Sequence, residues 1–131
     1  MFEIPCLLAD QRGVSFFSTA EYPKNKRGGM LLSEQIAVIN FRFRESEAGY
    51  TTDWHLAGDP TLIIIQKGTL RIWLQNGSFK DFGAGSQFIA ADNLSEGVIF
   101  DPTKHGHKAE VIGSETLFAI HIKLVNFYLP S

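Results

Sequence analysis

Residues 49–68 read GYTTDWHLAGDPTLIIIQKG. The order of residue types puts one histidine, His55, on an extended segment, then a turn, then an apolar strand that ends at the tight-turn signal Lys67-Gly68. Outward from this stretch the pattern repeats. Gly and Pro punctuate the chain at short intervals, the apolar runs between them are rich in Ile, Val and Phe, and no long segment keeps a period of 3.6, so the chain reads as all-β.

Strands are expected at 14–19, 35–44, 51–55, 61–66, 69–75, 79–82, 86–91, 107–112 and 116–126, a spacing that suits a sandwich or barrel. Asn76-Gly77 closes a hairpin, because both residues tolerate positive φ. In 35–44 the residues alternate, and Phe41 and Phe43 are expected to point inward with Arg42 and Arg44 in solvent. In 116–126 the set Phe118, Ile120, Ile122 and Leu124 is taken as the inner one, which puts His121 outside any pocket. Residues 22–33, YPKNKRGGMLLS, read as a loop in which only Met30-Leu31-Leu32 is anchored to a core. The segment 92–104, DNLSEGVIFDPTK, is long for a connection and reads either as a lid or as a further strand.

At 131 residues the chain suits one domain, and its 44% hydrophobic content, with eleven Phe, two Trp and three Tyr, supplies a core. A formal charge of −2 leaves no cationic excess to neutralise a phosphate backbone, so no nucleic-acid partner is expected. Cys6 is the only cysteine, which excludes an intrachain disulfide and a zinc site of several thiolates. The opening MFEIPCLLAD lacks the basic region and long apolar run of a signal peptide, and no stretch approaches the roughly 18 apolar residues of a membrane span. The expectation is a cytoplasmic protein with no membrane partner.

The spacing of Gly49, His55 and Gly68 resembles the first motif of the cupin superfamily, Gly-x5-His-x-His-x3-Glu-x6-Gly, with Ala57 at the second histidine and Thr61 at the glutamate. Pro102 and His107 have the separation found in the second motif, Gly-x5-Pro-x-Gly-x2-His, with Lys104 at its middle glycine. Gly85 resembles its opening glycine but lies 22 residues before His107, where the pattern asks for 11. The resemblance implies a double-stranded β-helix, a jelly-roll barrel over about 35–126, preceded by an N-terminal arm of 1–34. It also implies a homodimer, since the N-terminal segment of small cupins often pairs with a partner subunit.

Metal-dependent cupins hold one divalent transition metal ion on imidazoles and a carboxylate, and here His55 and His107 stand at matching positions. His105 and Asp53 each lie two residues from one of these and share its face if the chain is extended there, so they are the candidates to complete a ligand set. Without a metal, His55 with Asp53 nearby also suits a general base, since an imidazole can move protons at neutral pH. Two functions stay open at this point. One is a barrel with a degenerate metal site whose lumen binds a small molecule, lined by His55, Ala57, Thr61 and His107 with Phe41 and Phe43 deeper in. The other is an iron-, manganese- or zinc-dependent cupin enzyme, a dioxygenase or an isomerase.

Overall fold

Short apolar runs of period two, interrupted by glycine about every ten residues, leave the chain little alternative to sheet. The computed structural model describes residues 1–127, which form β1 (Phe2–Ala9), β2 (Ser15–Tyr22), β3 (Asn25–Arg27), β4 (Met30–Leu32), β5 (Val38–Ser46), β6 (Thr61–Lys67), β7 (Thr69–Trp73), β8 (Phe79–Phe82), β9 (Gln87–Ala90), β10 (Lys108–Ile112) and β11 (Leu117–Leu124). No helix among them is long and apolar enough to cross a membrane. One sheet has six strands in the order β2-β1-β9-β6-β11-β5, a second has the order β10-β7-β8, and β3-β4 is a separate hairpin.

The chain leaving β5 crosses between the sheets. Gly49 N–H bonds Val111 O (3.0 Å), Val111 N–H bonds Tyr50 O (2.8 Å) and Thr52 N–H bonds Ala109 O (2.9 Å), so residues 49–55 run antiparallel beside β10. The two sheets face each other over one core. Leu7, Ile65, Phe88 and Leu117 enter it from the six-stranded side and Leu70, Ile72 and Val111 from the other, all almost wholly buried. Each such side chain contributes about 1.5–3 kcal/mol by leaving water. The Phe82 and Phe88 rings stack at 4.3 Å between the two sheets.

The outer face of the six-stranded sheet carries a second apolar cluster, with Cys6, Ala20, Ile89 and Leu124 buried and Ile4, Tyr22 and Leu62 packed on them. A groove of about 200 Å³ runs over this face, with Ser33 and Ile36 on its walls.

Several expectations change. Residues 1–34, read as an arm, supply β1 and β2 to the large sheet, where β1 sits between β2 and β9. The loop 22–33 contains the β3-β4 hairpin, and Met30, Leu31 and Leu32 are exposed rather than anchored. The segment 51–55 makes only isolated bridges at Thr51 and His55. Residues 92–104 contain no strand.

The largest change concerns β5. Phe41 and Phe43 are 61% and 76% exposed, so they do not line the interior. Arg44 pairs with Ala119 and Arg42 with His121, and directly opposed residues of an antiparallel pair share a face. Ala119 is buried in the core. The inward face of β5 is therefore the polar one, Asn40, Arg42 and Arg44, and the phenylalanines form the outer row.

Candidate functional site

His107 continues the inward alternation of Ala109 and Val111 on β10, which puts its ring in the interior at 4% exposure. His55 is its direct partner: the two residues exchange both backbone hydrogen bonds, each 2.9 Å. Their rings meet with centroids 4.3 Å apart and planes tilted by 56°. Gly106, at φ +80°, makes this approach possible, because a Cβ there would lie 2.8 Å from the His55 carbonyl carbon.

Behind His107 lies a residue that the sequence reading used only as the start of a possible lid. Asp92, with no exposed surface, holds His107 Nδ1 and Ser15 Oγ on one oxygen, Oδ2, each at 2.7 Å. As the acceptor of both bonds, it assigns the His107 proton to Nδ1 and leaves Nε2 as the free ring nitrogen. The other carboxylate oxygen, Oδ1, is buried without a partner among the described residues. A carboxylate directly after an apolar strand is the signal that marks it, since such a group is buried only with partners.

His105 and Asp53 do not join this pair as ligands. Gly106 turns the chain between His105 and His107, and His105 Nδ1 instead accepts the Asp101 N–H at 3.0 Å, within the segment 92–104. Asp53 gives His55 Nδ1 its backbone carbonyl, 2.8 Å away, rather than its carboxylate.

The second part of the site lies across the interior on β5, β6 and β11. Ala57, Thr61, Arg42, Arg44, His121 and Lys123 line a cleft of about 510 Å³ whose rim carries Phe43. His121 is thus inside the pocket, contrary to expectation. It pairs with Ile63 of β6 and Arg42 of β5, in register with the buried Ala119. Both alternating sets of β11 are largely apolar, and a one-residue slip exchanges them.

Arg44 Nη1 lies 3.3 Å from His121 Nε2, and Arg44 Nε donates to Ser46 Oγ at 3.0 Å. A guanidinium only donates, so His121 accepts at Nε2. Burial first, then the charges of Arg44, Arg42 and Lys123, hold the His121 pKa down at about 4. Burial also lowers His55, against the opposing bond from Asp53.

Both shifts favour neutral imidazole in the folded chain. As pH falls from the ordinary histidine value near 6.5, the unfolded chain binds these protons first, so stability present above that value is lost progressively down to about 4. Discounted for partial exposure, His121 accounts for on the order of 2 kcal/mol. In urea titrations at pH 7 and pH 4, His121→Gln should lose less stability on acidification than the parent chain. Equal losses would remove this assignment.

The two motif segments, 49–55 and 107–112, lie side by side, and their histidines meet ring to ring between two facing sheets. The fold is cupin-like. No family model matches the sequence, and no curated protein matches it significantly. Among solved structures, the chain is similar to a cupin-2 domain-containing protein from Shewanella frigidimarina, with 18% identity, 70% of this chain and 80% of that one covered, and a TM-score of 0.47. It is also similar to a cupin domain from Bordetella pertussis, with 11% identity, 70% and 91% covered, and a TM-score of 0.48. The Cnp3 cupin domain of Schizosaccharomyces pombe matches at 13% identity over 92% and 83%, with a TM-score of 0.41.

A cupin-like fold raises the question of a metal, and the donor set does not fit one of the usual kind. The two imidazoles stand in ring contact, Asp92 Oδ2 is taken up by His107 and Ser15, and the motif glutamate is Thr61, whose hydroxyl donates to Asp59 O at 2.9 Å. Among the described residues, no group of three or more His, Cys, Asp or Glu side chains is placed to hold an ion.

Proposed function

We propose that this cupin-like chain binds a small organic molecule in the cleft between β5, β6 and β11, without a resident metal. The observation that carries the reading is the inward-facing polar surface of β5. An edge strand that turns Asn40, Arg42 and Arg44 to the interior and Phe41 and Phe43 to the exterior inverts the usual pattern. Such an inversion costs burial energy and is sustained where the interior holds a polar guest. The cleft volume of about 510 Å³ falls in the range of small-molecule sites. Against a metal-dependent oxygenase or isomerase speaks that, among the described residues, no group of three or more ligating side chains is brought together.

A homodimer belongs to the same proposal. β5 ends the six-stranded sheet and shows Ile39, Phe41 and Phe43 on its outer face, and a long apolar edge strand is prone to pair with another chain. An NMR screen with small organic fragments tests both parts. Shift changes should cluster at Ala57, Thr61, Arg44 and His121, and the tumbling time should match two copies of the 14.6 kDa chain. Binding that maps only to the outer groove at Ile4, Tyr22 and Leu124, or nowhere, would remove the cleft as the site.

A further inference from the structure

The cleft carries more positive charge than a neutral guest needs. Arg42 and Arg44 come from β5, and His121 and Lys123 from the adjacent β11, paired as Arg42 with His121 and Asn40 with Lys123. Cross-strand partners lie about 5 Å apart and alternate residues about 7 Å apart, so these four residues line one stretch of the cleft. Like charges so placed repel. Among the described residues, no carboxylate lies within ion-pair distance of Arg42, Arg44 or Lys123. Glu45 lines the cleft, but it pairs with the outward Phe118 and belongs to the opposite face of β5.

Arg44 decides the sign of the missing partner. It is half-buried, and its contacts are neutral: the Ser46 hydroxyl, the His121 ring and the face of Tyr50, 5.9 Å from its guanidinium. A desolvated guanidinium satisfied only by neutral groups lacks the anion that buried cations ordinarily find. Its planar fork matches two oxygens of one group.

We propose that the ligand of this cleft presents an anionic oxygen group, a carboxylate or a phosphate, to Arg44 and Arg42, with Lys123 and His121 completing the ring. This rests on the cleft being the binding site. From the other elements around the cleft come Ala57, Thr61 and Ile63, none of which titrates. Beyond them, the Tyr50 ring faces Arg44, and His55 feels the Arg44 charge. A bound anion opposes the cations that disfavour protonation of His121, so it raises the pH at which His121 titrates.

The test is a side-chain NMR titration of His121 with inorganic phosphate, propionate and the neutral propanamide, at constant ionic strength set with chloride. Phosphate or propionate should move the His121 ring signals saturably, raise its titration midpoint from about 4, and bind about tenfold more weakly to Arg44→Gln. Response to phosphate alone assigns a phosphate ligand, and response to propionate assigns a carboxylate. If Arg44→Gln does not fold by its backbone spectrum, Lys123→Gln takes its place. Movement with propanamide and neither anion would overturn the anionic class while keeping the cleft as a binding site. Movement with none of the three would overturn both.

Discussion

Replacing Gly106 with alanine should destabilise the chain by on the order of 4 kcal/mol. The residue has φ +80°, which costs an L side chain about 1–2 kcal/mol. The added Cβ would also meet backbone, 2.8 Å from the His55 carbonyl carbon and 3.1 Å from its nitrogen. Backbone cannot rotate aside as a flexible side chain can, so relief requires residues 55 and 107 to separate. Two hydrogen bonds of 2.9 Å are then lost, each worth about 1 kcal/mol. Gly113→Ala is the internal control. Its φ is +77°, but nothing lies within 4 Å of the new Cβ, so it should cost only about 1 kcal/mol. Urea unfolding of both variants checks the difference, and equal losses would mean that the close approach of the two motif segments contributes nothing.

Removal of Asp92 should be comparably severe. This carboxylate joins Ser15 at the start of β2 to His107 just before β10, and so ties both sheets to the histidine pair. Asp92→Ala leaves two buried polar groups without their acceptor, and breaking a buried pair of this kind costs about 3–5 kcal/mol. Ser15→Ala removes one neutral hydroxyl and should cost about 1 kcal/mol. In Asp92→Ala, chemical denaturation should show the loss, and the ring signals of His55 and His107 should shift. A variant within 1 kcal/mol of the parent would show that the link carries little energy.

The parts of the site that the sequence reveals are those fixed by spacing. Gly49, His55, Gly68, Pro102 and His107 keep motif separations, and the geometry brings the two histidines together. The faces of β5 and β11 were not legible, because alternation gives two sets of residues and only the neighbouring strands decide which is inside. On β5 hydrophobicity points the wrong way: Phe41 and Phe43 outrank Arg42 and Arg44 as core candidates, yet the arginines face inward. Asp92 was hidden for another reason. Its partners are 77 and 15 residues away, and no local pattern records a pairing of that range. His105 does not lie beside His55 and His107, because strict alternation holds only in extended chain, and Gly106 turns it.

The strand order also governs how the chain can be assembled during synthesis. β11 is the last of the described strands in sequence, yet it lies between β6 and β5. Ser46 at the end of β5 therefore waits for Leu117, 71 positions later, before it has a neighbour in the sheet. Until then β5 and one edge of β6 leave the ribosome unpaired, and pairings of such range fold slowly, in milliseconds to seconds. The apolar row of β5 is exposed throughout this interval, so a nascent chain has its greatest need of a chaperone, or of another copy of itself, just before β11 appears.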